Sequence, residues 1–431
     1  MRIGVDGFNL AMGRGTGISM YARTLTYCLR EMGHGIDVIY GMNIPMQTPP
    51  DLAETLFFDN LEQENASKAP KPFTANWFAE RKGNLLGYQA LQVPMSGRVD
   101  ARAFADRFPT YDRIFNVRSV FRVANRYFNR TGKFLRIVLD TPPDIMHWTY
   151  PLPIRMEGAI NIYTIHDLVP LRLPYTTLDN KRAHFRLIEA IIRSNATVCT
   201  VSEASRRDII SYFPAVEPRV FNTYQSLRIG DKEIARLETE GKKRPAALHG
   251  LDADGYFLFF GSLEPKKNIG RLIEAMLIAC PTRKLVLVGA KAWKTEDELR
   301  LLKRAQEIGR VVHLEYLPQA ELIELIRGAR AVLFPSLSEG FGLPVLEALA
   351  LATPVLTSRE GALPEVAGDA AIFVDAFDAV SIADGITKLD TDSGVCALLR
   401  TKGPAQAAKF SRSAYQLKLG AMYDQTLSHT A

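Results

Sequence analysis

The stretch Ser338-Glu339-Gly340-Phe341-Gly342-Leu343-Pro344-Val345-Leu346-Glu347 decides how this chain is read. The apolar run Ala331-Val332-Leu333-Phe334 ahead of it predicts a buried parallel strand, and Val345 to Leu351 predicts a helix. Pro344 suits a first helical turn, where its missing N–H costs nothing. Gly340 and Gly342 flank Phe341 and let the backbone come close to a ligand. A strand, glycine loop and helix in this order present free N–H groups and partial positive charge to an anion such as a diphosphate. Glu339 in the loop and Glu347 about one turn into the helix would repel that anion. They are expected to face something else, and sugar or ribose hydroxyls are donors that suit carboxylate acceptors.

Glu339 to Glu347 has the E-x7-E pattern of the retaining GT-B glycosyltransferases, in the form of family 4. Phe334-Pro-Ser-x-x-Glu-Gly-Phe-Gly-Leu-Pro and the later Gly361-Ala-Leu-Pro-Glu-Val-Ala-Gly368 also resemble that family. The resemblance covers the C-terminal half and much of the N-terminal half, and is weak between about residues 42 and 145. It implies an α/β fold of GT-B type: two Rossmann-like domains face each other across a cleft, and a C-terminal helix crosses back. The expected divisions are 1–245 (acceptor-binding, with an irregular insertion at about 42–145), 246–410 (nucleotide-sugar-binding) and 411–431 (returning helix).

Composition agrees with two cores. There are 431 residues, 47% of them hydrophobic, with a net charge of +6. That balance excludes an obligate polyanion binder, so no nucleic-acid partner is expected, but permits a local basic patch. Cys28, Cys199, Cys280 and Cys396 are scattered without a C-x-x-C, which argues against a metal site or disulfide framework and fits a reduced compartment. Met1-Arg2-Ile3-Gly4-Val5-Asp6 reads as a strand start rather than a signal peptide, and no apolar run reaches membrane-spanning length. The expectation is a cytoplasmic protein, with peripheral contact on the inner face of the plasma membrane.

Arg2 to Val5 predicts a first strand, Ile18 to about Met32 a helix and Ile36 to Tyr40 a second strand. The intervening Gly13-Arg14-Gly15-Thr16-Gly17 does not meet G-x-G-x-x-G, so a nicotinamide enzyme is not supported. In the resembled family this loop faces the cleft, which makes Gly15 and Gly17 candidates for the donor phosphates or the acceptor; a tight turn with packing glycines is the alternative. Prolines 45, 49, 50, 70 and 72 punctuate the next stretch. From Arg113 to Arg136 there are seven basic and no acidic residues. Arg118, Arg122, Arg126 and Arg130 recur every four positions, which a helix would place in one row beside Phe121, Ala124 and Phe128. Contact with an anionic membrane or a phosphate-bearing acceptor, and a solvated face packed on the first domain, both remain open.

Ile160 to Ile165 predicts a strand ending in His166-Asp167, where α/β sheets place ligands. Tyr163-Thr-Ile-His-Asp-Leu-Val-Pro-Leu171 also resembles family 4, which implies that His166 faces the donor sugar and acceptor. Ser202 is expected to cap a helix that the resemblance puts on the far side of the first domain. Lys242-Lys243-Arg244-Pro245 reads as the linker.

Tyr256 to Phe260 opens the second domain. Its loop, Gly261 to Asn268, holds Ser262, Lys266 and Lys267; two adjacent lysines there can neutralise a diphosphate, and Lys267 matches the family's phosphate-binding lysine. Lys266 stands where arginine is common, keeping charge but losing the bidentate fork. Strands at 284–288, 311–314, 331–334, 354–357 and 371–374 alternate with helices. Glu315-Tyr316-Leu317-Pro318 follows one of them, and the resemblance puts Leu317 near the nucleotide base. Asp390-Thr391-Asp392 spells D-x-D between two helical stretches and reads as a polar loop, so no metal is expected.

By resemblance, then, Glu339, His166 and Lys267 are the catalytic candidates. Gly15, Gly17, Ser262, Lys266, Lys267, Leu317, Phe341, Gly342, Leu343 and Glu347 are the donor-binding ones. The implied reaction is metal-independent, retaining transfer of a hexose, mannose first, from a nucleotide diphosphate (GDP before UDP) to a cell-surface glycan or lipid-linked saccharide. A GT-B nucleotide-sugar epimerase and a catalytically silent scaffold subunit are the alternatives.

Overall fold

Continuous apolar runs of four or five residues pair as parallel strands buried on both faces. The computed structural model describes residues 1–11, 17–45, 48–62, 75–104, 108–227, 229, 250–290 and 300–428. Its strands are β1 (Arg2–Asp6), β2 (Gly35–Tyr40), β3 (Tyr88–Gln89), β4 (Leu91–Val93), β5 (Arg113–Asn116), β6 (Leu135–Val138), β7 (Ile145–Trp148), β8 (Ile154–Met156), β9 (Ile160–Thr164), β10 (Thr197–Thr200), β11 (Val220–Asn222), β12 (Tyr256–Phe260), β13 (Lys284–Val288), β14 (Val311–Leu314), β15 (Ala331–Phe334), β16 (Val355–Ser358) and β17 (Ala371–Val374).

The first sheet runs β11-β10-β9-β7-β1-β2-β5-β4 and the second β14-β13-β12-β15-β16-β17. Every pairing in them is parallel except β4 with β5. Each sheet starts in its middle, builds to one side, then returns and builds to the other. The order therefore reverses between β1 and β7 in the first sheet and between β12 and β15 in the second. Crevices at the carboxyl ends of such strand pairs are where open α/β sheets bind ligands.

The helix Arg412–Ser428 crosses back to the first sheet. Tyr423 Oη lies 2.7 Å from Nδ1 of buried His147 on β7, Thr426 Oγ1 donates to Thr197 Oγ1 at 3.3 Å, and Arg412 sits 4.4 Å above the Tyr27 ring. Neutral His147 is wired onward to Thr164 Oγ1 at 2.8 Å, and Tyr21 joins Thr164 at 3.0 Å.

Within the stretch expected to be irregular, the described residues include several regular elements. Pro50 opens the helix Pro50–Glu62 at the position where proline is tolerated, β5 extends the first sheet beside β2, and β3, β6 and β8 make a small sheet of their own. Residues 70 and 72 lie outside the described residues, as does the linker expected at 242–245. The four arginines do not share a helix. β5 runs to Asn116, Ser119 takes a left-handed conformation (φ 51°), and the helix starts only at Val120. Arg118 thus lies in the turn ahead of it, donating to Asn43 Oδ1 at 2.7 Å, while Arg126 pairs with Glu80 at 2.7 Å. Phe121, Ala124 and Phe128 form the buried strip, as expected. Among the described residues no helix is long and apolar enough to cross a membrane.

Candidate active site at the facing strand ends

At the second sheet's reversal, β12 and β15 send out two loops that are tied together. Asn268, in the left-handed region (φ 63°), donates its amide to the Pro335 carbonyl at 3.0 Å and the Ala376 carbonyl at 2.6 Å; Leu337 N–H donates to the Lys266 carbonyl at 2.8 Å. Between them Lys267 Nζ lies 2.6 Å from Glu339 Oε1 and 5.0 Å above the Phe334 ring, both side chains being nearly buried. Burial works to lower the Lys266 ammonium's pKa. Asp167, Glu339, Glu264 and Tyr150 outweigh it, and hold the group well above the usual lysine range.

The helix Leu343–Ala350 starts at Gly342 (φ 100°), which has no side chain to cap it, with Pro344 in the first turn. Val345 and Leu346 give their N–H groups to the Gly342 carbonyl. The first sheet faces this loop closely. A Cβ on Gly340 would stand 2.6 Å from the His166 carbonyl oxygen, so glycine is needed for the two domains to touch here. Gly361 (φ 60°) is held as tightly against the Glu339 backbone, where Ala362 N–H bonds the Glu339 carbonyl at 3.1 Å. The second glycine motif is thus the buttress of the first.

His166 Nε2 lies 2.9 Å from the Thr149 carbonyl, which only accepts, so the neutral ring carries its proton on Nε2 and a lone pair on Nδ1. Burial lowers its pKa, partly offset by that bond and by Asp167. Tyr21 packs edge-on at 4.9 Å. The Ser205 hydroxyl reaches the His166 carbonyl at 2.6 Å and the Gly340 carbonyl at 3.4 Å, one from each domain.

The residues 247–407 match the family model described as Glycosyl transferases group 1. The chain is 33% identical over 271 residues to the O-antigen chain mannosyltransferase B of Escherichia coli, covering 60% of this chain and 68% of that one. This chain belongs to the group 1 glycosyltransferases. It is also 29% identical over 280 residues to the serotype-specific mannosyltransferase WbdA of Escherichia coli, of whose length it spans about a third (33%). Among solved structures, Alr3699/HepE of Anabaena in complex with UDP and glucose superposes with a TM-score of 0.64 at 13% identity, over 99% of this chain and 100% of that one, a likeness of fold.

The glycosyltransferase gathers Lys266, Lys267, Glu339, Gly342 and Leu343 at one reversal point and His166 opposite. Glu347 is half-buried in the helix that follows. Other expected site residues sit differently. The Phe341 side chain, 3% exposed, turns away into a cluster with Tyr224 (6.3 Å) and Phe410 (5.5 Å), where the chain crosses between the domains; only its backbone belongs to the loop. Ser262 is exposed and bonded to Glu264 at 3.2 Å, and Leu317 packs partly onto the core beside the 82% exposed Tyr316. Gly17 is exposed at the start of its helix, and a Cβ added there would meet nothing within 4 Å among the described residues; Gly15 lies outside the described residues.

Ser202 does cap the helix Glu203–Tyr212, but that helix begins at the domain interface rather than on the far side. The Glu365 carboxylate, from the second glycine motif, accepts from Glu203 N–H at 3.0 Å and Ala204 N–H at 2.9 Å. Burial, and secondarily the Glu203 charge, raise its pKa. Asn268, Ser205 and Glu365 escaped the sequence reading. The signals were an asparagine able to take the left-handed turn after Lys267, and a glutamate inside a motif already noticed. D-x-D is structural: Asp390 pairs with Arg283 at 2.6 Å and Asp392 caps the helix Ser393–Ala407. Among the described residues no cluster of three or more His, Cys, Asp or Glu side chains is gathered that could hold a metal.

Proposed function

We propose that the protein transfers mannose from a nucleotide diphosphate, GDP before UDP, to a cell-surface glycan or lipid-linked saccharide, with retention of configuration and without a metal. The observation that carries this reading is the meeting of Lys266, Lys267, Glu339 and an open helix start at the second sheet's reversal point. The mannosyltransferase relatives support the sugar and the glycan acceptor.

In this reading the diphosphate rests on Lys266, Lys267 and the N–H groups of Gly342 and Leu343, and Glu347 accepts from ribose hydroxyls. Glu339 accepts from the sugar's hydroxyls while staying beside Lys267. As the glycosidic bond breaks, negative charge grows on the leaving phosphate, and fixed cations there stabilise the transition state more than the ground state. The lone pair on His166 Nδ1 accepts from a sugar hydroxyl. The acceptor hydroxyl attacks from the leaving-group face, and the departing phosphate takes its proton. Domain contact at Gly340 excludes water. The enzyme works in the cytoplasm, at the inner face of the plasma membrane, with the basic face of the helix Val120–Thr131 towards anionic lipid.

The test is product analysis. GDP-mannose with methyl α-D-mannoside, in excess EDTA, should give an α-linked disaccharide by NMR. A β-linked product would refute retention, loss of activity in EDTA would refute metal independence, and transfer from UDP-sugars alone would replace the donor.

A further inference from the structure

A helix leaves the N–H groups of its first turn without partners inside it. In the helix Glu203–Tyr212, which connects β10 to β11 in the first domain, Ser202 Oγ takes only the third of them, from Ser205 at 3.0 Å. The first two go to the other domain. Glu203 N–H gives to Glu365 Oε2 at 3.0 Å, and Ala204 N–H to Glu365 Oε1 at 2.9 Å. The helix's own first-turn carboxylate does not compete, because Glu203 Oε1 accepts from Asn222 Nδ2 at 2.8 Å. One carboxylate from across the cleft thus spans both N–H groups, and its charge sits where the helix start is partially positive.

Glu365 is anchored in the second domain at both ends of its short helix, Leu363–Ala367. Gln406 Nε2 donates to the Glu365 and Val366 carbonyls at 3.3 and 3.1 Å. At the other end Ala362 N–H holds the Glu339 carbonyl, and a Cβ on Gly342 would stand 2.8 Å from Leu363 Cδ2. The carboxylate that grips the first domain therefore belongs to the same segment that fixes the Glu339 backbone and the start of the phosphate-side helix. The gripped helix start in turn holds His166, through the bond from Ser205 Oγ to the His166 carbonyl at 2.6 Å.

We propose that Glu365 is a positioning residue that latches the two domains in register, setting Glu339 opposite His166 for the transfer step. The inference rests on the transfer reading above and assigns a residue that reading does not use. Two charge-assisted bonds to adjacent N–H groups form together and in only one relative placement of the domains. When the domains part, the carboxylate and both N–H groups return to water, so the latch is reversible. It contributes nothing to holding the nucleotide, since Lys266, Lys267 and the open helix start all lie within the second domain. It acts on the alignment of donor sugar and acceptor, and on the exclusion of water between them.

The experiment compares the full-length wild type with Glu365→Gln, Glu203→Pro and the two combined. Glu365→Gln keeps the shape but loses the charge and one acceptor. Glu203→Pro removes one gripped N–H at the first helical position, where proline is tolerated, and Glu203→Ala is its control because it keeps that N–H. Transfer from GDP-mannose to methyl α-D-mannoside, donor hydrolysis, GDP-induced melting shift and amide exchange are read on each. Glu365→Gln and Glu203→Pro should each lower kcat about tenfold and raise the share of donor lost to hydrolysis, with the melting shift unchanged and Glu203→Ala within about twofold of wild type. The combined variant should be within about twofold of the slower single one, because both cut the same contact. In Glu365→Gln the protection of the Glu203 and Ala204 amides should fall about tenfold. Losses that multiply in the combined variant overturn the latch, as do wild-type rates in Glu365→Gln or a wild type in which those two amides are unprotected. A wild type that uses neither GDP-mannose nor UDP-glucose overturns the transfer reading, and with it the role of Glu365 in transfer, while exchange at the two amides still decides the contact between the domains.

Discussion

Lys267 and Glu339 form an almost dry ion pair, and a pair of that kind is costly to break from one side. Lys267→Ala leaves Glu339 buried without its cation and removes charge from the leaving phosphate. We expect kcat to fall by about 10²–10³, with Lys267→Arg recovering part of it, measured as initial transfer rates. Phe341→Ala tests what its buried ring does: it should cost about 3–5 kcal/mol in unfolding free energy, as for a core phenylalanine, measured by urea denaturation. A variant of unchanged stability but weaker nucleotide binding would return Phe341 to the donor site. At this scale the sequence showed which residues cluster, because Lys267, Glu339, Gly342 and Leu343 sit at fixed offsets from strand ends. It did not show side-chain direction. Phe341 lies between two glycines of the loop, and only the tertiary contact with Tyr224 and Phe410 turns it inward.

At the scale of elements, the facing loops depend on what glycine leaves out. Gly340→Ala would put a methyl group against the His166 carbonyl, a backbone atom that cannot swing aside. The expected result is at least a tenfold loss of transfer with the nucleotide-induced melting shift preserved, since the second sheet keeps its lysines. Equal loss of nucleotide binding would place the damage inside the second domain instead. The strands of the second sheet were legible almost residue by residue, for a strand buried on both faces is a continuous apolar run bounded by polar turns. The stretch from 42 to 145 was not. β3 and β4 have two and three residues, too few for a periodicity, and the helix after β5 starts where Ser119 breaks the arginine spacing.

Across the whole molecule, two buried groups titrate in opposite senses. Burial lowers the His147 pKa from 6.5 to about 3, so the fold holds it neutral; the stability this represents is present above pH 6.5 and is lost as pH falls from there towards 3, about 5 kcal/mol in full. Burial raises Asp6 from 3.8 to about 6, so its contribution is present below pH 3.8 and is lost as pH rises through 6, about 3 kcal/mol. Between pH 6.5 and 4.5 the two partly cancel. His147→Gln should make the melting temperature less sensitive to acid over that window, and Asp6→Asn more sensitive. Matching slopes in wild type and His147→Gln would refute the assignment. His147 grips Tyr423, so acid should also lower the amide protection factors of the helix Arg412–Ser428, each taken against the intrinsic exchange rate at that pH. That the last helix returns to the first domain was legible only through family resemblance; no local pattern in its sequence names His147 as the partner.

The central claim is that the second sheet's reversal point is a donor site built on Lys267. The most direct measurement is thermal melting of the wild type and Lys267→Ala with GDP, GDP-mannose, UDP and UDP-glucose. At about 100 times the dissociation constant a ligand adds ~2.7 kcal/mol to the stability of the state that binds it. A guanosine compound should raise the wild-type melt and leave Lys267→Ala nearly unmoved. If no nucleotide raises it, or if both proteins respond equally, the account of this site is wrong.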